Sequence, residues 1–319
     1  MLLRNRTVRP LALVLVLGLV AACSKPDTST GVVAETKMDS LVTAAWLSEH
    51  IDDPNLVVLD CTVLVEMTDE GAFQIVNGRA HYEEGHIPTA GFADLMGELA
   101  DSDSPYQFAV PTPERFAAAM SALGVSDDSR VVLYDDSGSA WAARVWWMLR
   151  WIGFDEAALL DGGLAAWTAH GGPLSKEPVK RAVGSLTVDL RPELIVDKEE
   201  VLAAIGDDSV NIIDALSEPS YNGEVAMYTR PGHIPGATNV PMMSLIDETG
   251  FLVPADDLDE LLTGDRDARS ITYCGGGIAA SLNAFVMTRH GYTDVAVYTA
   301  SLQEWAADES LPMEVTTGD

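Results

Sequence analysis

The sequence predicts an α/β fold built twice in tandem, each copy a mainly parallel sheet with helices on both faces. Three observations carry this. Short apolar or β-branched runs alternate with segments of helical periodicity. The chain has 319 residues, 47% of them hydrophobic, enough for two domains of ordinary size. And the same segments recur in the same order in both halves. Leu56-Val57-Val58-Leu59-Asp60 matches Val210-Asn211-Ile212-Ile213-Asp214. Gly85-His86-Ile87-Pro88 matches Gly232-His233-Ile234-Pro235, and Arg130-Val131-Val132-Leu133-Tyr134 matches Arg269-Ser270-Ile271-Thr272-Tyr273. Ile152-Gly153-Phe154 matches His290-Gly291-Tyr292, and Trp167 matches Trp305. This is the pattern of a tandem duplication.

Each copy opens with an amphipathic helix, Leu41 to His50 and Asp197 to Ile205. A strand ending in Asp follows, then the turn carrying Gly-His-Ile-Pro, then helices. The next strand leads into a tight turn and a helix. A short strand, Ala157 to Leu160 or Val295 to Tyr298, follows that helix. Strands alternating with helices make a parallel sheet, whose ligands sit at the carboxyl ends of the strands. The boundary between copies falls among the prolines and charges that follow Pro173. The predicted domains are residues 38–175 and 195–315, joined by a linker over 176–194.

The chemistry concentrates at one strand end. Ser270 to Tyr273 reads as a buried strand, and Ile278 to Arg289 reads as a helix with Ile278, Leu282, Phe285 and Val286 at helical spacing. Between them stand Cys274, Gly275, Gly276 and Gly277. Glycines let successive N–H groups converge into an anion-binding nest, and a helix N-terminus adds positive potential. Such a place favours a thiolate nucleophile. The candidate site is therefore Cys274 as nucleophile, with Gly275, Gly276, Gly277, Ile278, Ala279 and Ala280 supplying the amide cradle. Cys61 ends an apolar run and is expected to be a buried core thiol.

Composition excludes some partners. The net charge is −30, which argues against nucleic acid, whose phosphates need Lys and Arg. None of the six histidines has zinc-type spacing, so no metal and no cofactor is expected. His86 and His233 read as turn-stabilising side chains. A phosphatase loop would need an arginine after five intervening residues; that position is Ala280, and the next arginine is Arg289.

The first 37 residues read as a targeting segment rather than fold. Arg4, Arg6 and Arg9 precede an apolar stretch from Leu11 to Val20, too short for a comfortable membrane span. Leu19-Val20-Ala21-Ala22-Cys23 resembles a bacterial lipobox, in which the cysteine is lipidated and becomes the first residue. This reading is favoured over a plain secretory signal cut near Ala22 or an uncleaved anchor. It implies a signal peptide over 1–22, a tether over 23–37, and a lipid-anchored protein of the cell envelope, periplasmic or outer-membrane. Its membrane contact would be the lipid alone, and it is expected to be a monomer.

Taken together, the chain resembles the tandem two-domain rhodanese sulfurtransferases over about Met38 to Val315. The resemblance rests on Gly-His-Ile-Pro in both halves, Leu160-Asp161-Gly162-Gly163 with Trp167, Arg144-Val145-Trp146-Trp147, and Cys274 to Ala280. It implies an enzyme in which the first domain lacks the cysteine, here with Asp135 or Asp136 in its place. Cys274 would carry a persulfide, taking sulfane sulfur from thiosulfate or 3-mercaptopyruvate and passing it to a thiophilic acceptor such as cyanide or a thiol. The alternative is a non-catalytic sulfur carrier or interaction module at the envelope. Family members acting on mercaptopyruvate usually carry hydroxyls where Gly276 and Ala279 stand, and those acting on thiosulfate often have a basic residue at the position of Gly275. Leu216 and Ser220 stand where donor-holding arginines are common, so Arg230 is the candidate substitute.

Overall fold

The computed structural model describes residues 38–68, 73–262 and 264–316. The lipobox, signal and tether lie outside them. The described residues belong to one compact unit. The first copy runs β1 (Leu41–Val42), α1 (Ala44–His50), β2 (Leu56–Asp60), β3 (Val63–Met67), β4 (Phe73–Asn77), α2 (Arg79–Glu84), β5 (Gly91–Phe92), α3 (Pro113–Ala122), β6 (Arg130–Tyr134), α4 (Ala140–Trp151), β7 (Ala157–Leu160) and α5 (Gly163–Ala169). The second runs β8 (Ile195–Val196), α6 (Lys198–Ala204), β9 (Val210–Asp214), α7 (Glu218–Tyr221), β10 (Thr238–Asn239), α8 (Ala255–Leu261), β11 (Arg269–Tyr273), α9 (Ile278–Arg289), β12 (Val295–Tyr298) and α10 (Ser301–Trp305).

The duplication is visible in the sheets. The first has the order β1-β7-β6-β2-β5 and the second β8-β12-β11-β9-β10, every pairing parallel. In both, the strand ending in Asp lies beside the strand that leads to the site. Asp60 is in register with Tyr134, and Asp214 with Tyr273.

Two expectations need correction. The first copy's opening segment is not wholly helical: Leu41–Val42 is an edge strand pairing with β7 and the helix begins only at Ala44, whereas in the second copy the equivalent strand Ile195–Val196 precedes the predicted helix, which runs Lys198–Ala204. Thr43 and Asp197 cap those helices, each accepting an N–H from three residues on, which fixes where each begins. The first copy also carries the antiparallel hairpin β3–β4, without a counterpart among the described residues of the second.

Alternation along the strands sets the layers. Val57 and Leu59 of β2 face a core shared with α4 and α9, while Leu56 and Val58 face α1 and α5. The second sheet repeats this, with Ile271 and Tyr273 turned toward α6 and α10. So α4 and α9, the helices that follow the two site strands, pack between the sheets and join the copies. Trp146 meets Phe285 edge-on at 4.7 Å. The α9 residues Ala280 to Met287 are all buried, as expected for a helix apolar on every side. The segment after Pro173 lies along the first copy, tied by Thr187 to Asp127 and by the Arg191 N–H to the Trp151 carbonyl.

Candidate active site

The turn after β11 holds the sulfur. Cys274 is 3% exposed, and its Sγ accepts the Gly277 N–H at 3.1 Å. Its own N–H donates to Ser301 Oγ at 3.1 Å, and its carbonyl accepts the Leu302 N–H at 3.1 Å. Gly277 has φ +81 and caps α9. A side chain there would be strained and would also strike the Thr299 carbonyl, so glycine is required. The first amides of α9 have no partner within the helix, and the helix begins four residues after Cys274. Gly275 and Gly276 complete the turn, and Ile278, Ala279 and Ala280 are the first residues of α9. Gly275 is hemmed in by Tyr228, whose hydroxyl lies 1.5 Å from where a Cβ would stand. Burial, then the charges of Cys274 and Asp214, push the Tyr228 phenol up.

The first copy keeps the turn and changes its content. Asp135, not Asp136, follows β6 as Cys274 follows β11. Its Oδ1 accepts the N–H groups of Ser137 and Ser139 at 2.9 Å, and its Oδ2 those of Trp141 and Ala142 at 3.0 Å. The carboxylate thus fills its own nest. Asp136 points away and pairs with His81 at 3.1 Å.

The two histidine turns are built alike. The His86 ring stacks on Tyr82 and its Nδ1 bonds the Tyr82 carbonyl; His233 does the same with Tyr221. Both act within their turns, as expected. Cys61 is fully buried, its thiol pushed well up by burial, and both Cys61 and Cys274 are free thiols.

Arg230 behaves otherwise than expected. Its Nε and Nη1 donate to the Ala306 and Leu311 carbonyls, and its Nη2 to those of Trp305 and Asp308. Four of its roughly five N–H groups are thereby spent on the C-terminal segment, so it serves as a clamp.

Sequence reasoning did not single out the contribution of the first copy. Gln107 and Gln303 exchange two hydrogen bonds, each 3.0 Å, across the interface. Gln303 also donates its N–H to the Gly275 carbonyl, and its side chain occupies the space that a side chain at Gly276 would enter. Arg144 of α4 reaches the Gly277 corner, with Nη1 3.0 Å from where a Cβ would stand. The Arg-Val-Trp-Trp segment was visible in the sequence, but only the packing of α4 on α9 aims its arginine.

A lone thiol in an amide nest at the carboxyl end of a parallel sheet defines a protein that transfers groups covalently through cysteine. The family profile described as the rhodanese-like domain matches residues 43–170 and 197–308. The 3-mercaptopyruvate sulfurtransferase of Escherichia coli K12 is 36% identical over 279 residues, covering 86% of this chain and 97% of its own. The thiosulfate sulfurtransferase of Rattus norvegicus is 32% identical, covering 83% and 91%. The crystal structure of SseA from Escherichia coli, a 3-mercaptopyruvate sulfotransferase of rhodanese fold, matches with TM-score 0.74 at 34% identity, covering 83% of this chain and 99% of that one. The chain belongs to the rhodanese family, as a tandem-domain sulfurtransferase.

Proposed function

We propose that Cys274 accepts the thiol sulfur of 3-mercaptopyruvate, holds it as the sulfane sulfur of a persulfide, and delivers it to a thiol or cyanide. The observation that carries this is the hydrogen bond from the Gly277 N–H to Cys274 Sγ inside the glycine turn. An amide aimed at the sulfur stabilises the thiolate that attacks and the persulfide anion that waits. The Cys274 thiolate attacks the thiol sulfur of 3-mercaptopyruvate; a sulfur–sulfur bond forms, the carbon–sulfur bond breaks with its electron pair passing to the departing pyruvate enolate, and the proton that the donor's thiol carried passes from the new persulfide to that enolate, giving pyruvate. An acceptor thiolate or cyanide then attacks the outer sulfur of the persulfide and regenerates the Cys274 thiolate.

The choice of donor rests on Gly275. Gly275 has no side chain, and the Tyr228 hydroxyl stands where one would begin, so the basic residue common in thiosulfate-using relatives is missing here. Steady-state kinetics with 3-mercaptopyruvate plus a thiol and with thiosulfate plus cyanide test this. The higher kcat/KM is expected for 3-mercaptopyruvate; a higher value for thiosulfate contradicts the donor assignment. A persulfide that forms but never turns over with any acceptor would make the chain a carrier instead.

The lipobox motif supports a further reading: lipidation at Cys23 and residence in the cell envelope. Mass spectrometry of the N-terminal peptide from a membrane fraction should find Cys23 acylated, with Cys23→Ala releasing the protein. An unmodified N-terminal peptide in a soluble fraction would contradict it.

A further inference from the structure

Arg144 lies on the second turn of α4, in the copy that has no cysteine. Its side chain is 1% exposed. Nη2 donates to the Phe108 carbonyl at 2.8 Å. Nη1 has no hydrogen-bond partner among the described residues, and no carboxylate among them forms a salt bridge with it. A guanidinium buried without a counter-anion is costly to keep. Yet this one is held at a particular place. Its free Nη1 abuts Gly277, the residue whose N–H binds Cys274 Sγ. Burial pulls the guanidinium down to about 10, and the charge of Cys274 pushes the other way.

The placement is one-sided. The duplicate position in α9 is Leu282, a buried apolar residue. The other titratable groups around the sulfur, Tyr228 and beyond it Asp214, are neutral or negative and cannot balance an anion. Arg230 is committed to carbonyls of the C-terminal segment. The anion that Arg144 lacks is the one that the reaction creates at Cys274.

We propose that Arg144 is a positioning residue of the sulfur-transfer site: the cysteine-free copy supplies, across the α4–α9 interface, the counter-charge for the Cys274 sulfur as thiolate and then as persulfide. The first copy is then part of the catalytic unit as well as a scaffold. This rests on Cys274 as the nucleophile.

The test is the alkylation of Cys274 in the full chain carrying Cys61→Ala, with anionic iodoacetate and neutral iodoacetamide as probes, followed against pH. A protein of net charge −30 should repel iodoacetate. With Arg144 behind the sulfur, the iodoacetate-to-iodoacetamide rate ratio should exceed that of free cysteine. Arg144→Gln should lower the ratio about tenfold and move the alkylation inflection up by about one pH unit. Arg144→Lys should recover most of both. A folded Arg144→Gln variant with unchanged ratio and inflection overturns the proposal. Should that variant fail to fold, a ratio in the Arg144 protein no higher than that of free cysteine overturns it equally. Failure of the nucleophile itself is read separately, as turnover that survives Cys274→Ser.

Discussion

The two strand-to-helix turns of this molecule are copies of one device, put to opposite uses. In the first, Asp135 brings a carboxylate that accepts four main-chain N–H groups. That nest is closed, and its anion is built in. In the second, Cys274 accepts one N–H, and the turn is glycine throughout. That nest is open, and its anion comes and goes with the chemistry. The lesson is that an anion-binding turn becomes a reaction site when its permanent occupant is removed and a nucleophile is left at the edge. The closed turn stabilises the helix that carries Arg144; the open one receives that arginine's field.

The largest expected effect breaks the open nest. Cys274→Ser should lower sulfur transfer by roughly 10³-fold or more, measured as product formation from 3-mercaptopyruvate. Adding Asp135→Cys to that variant should restore nothing, because the equivalent of Arg144 in α9 is Leu282. Activity returning through position 135 would show the two turns to be interchangeable.

Breaking the closed nest should act on stability instead. Asp135→Ala leaves three buried N–H groups and the part-buried one of Ser137 without their acceptor and should cost about 4 kcal/mol in urea unfolding. A loss below about 1 kcal/mol would mean that the carboxylate is incidental to the turn.

At the aspartates that end β2 and β9 the copies agree. Burial raises the carboxyls of both Asp60 and Asp214, the latter to about 6. A raised carboxyl favours the neutral form in the folded state. Its contribution is present below the ordinary value of 3.8 and is lost as pH rises through about 6. Asp214→Asn stays neutral at every pH, so the variant should gain about 2–3 kcal/mol on the parent between about pH 4 and pH 7. Equal pH slopes for the two proteins would contradict this.

The smallest effect sharpens the comparison at the backbone. Ser301 has φ +53, where the first copy has Gly163 at φ +54. The serine keeps this left-handed conformation because its Oγ accepts the Cys274 N–H and donates to the Tyr298 carbonyl. Ser301→Ala should cost about 1–2 kcal/mol in thermal unfolding, and Ser301→Gly less, since glycine relieves the strain. The reverse order would remove the account of this serine.

Much of this was legible in the sequence because the duplication reports itself. The Ile278–Arg289 helix and the Ala157–Leu160 and Val295–Tyr298 strands stand where periodicity put them. The Cys274 turn was readable because a strand, a thiol, three glycines and a helix are contiguous. Whether Asp135 or Asp136 replaced the cysteine was not, because the first turn is one residue longer. Leu41–Val42 read as helix because two residues carry no period of their own; their pairing with β7 is tertiary. Arg144 and Tyr228 reach Gly277 and Gly275 of the Cys274 turn from distant positions in the chain, so only docking reveals them. Arg230 was picked for its charge, and only the fold shows its N–H groups bound to carbonyls.

The central claim is that Cys274 alone carries the transferred sulfur. Incubating the native protein with 3-mercaptopyruvate, without acceptor, and mapping the added mass by peptide mass spectrometry tests it most directly. The account predicts the mass of one sulfur atom on the Cys274 peptide, removed by cyanide, with the Cys61 peptide unchanged. Sulfur on Cys61, or none on Cys274 while turnover proceeds, would contradict it.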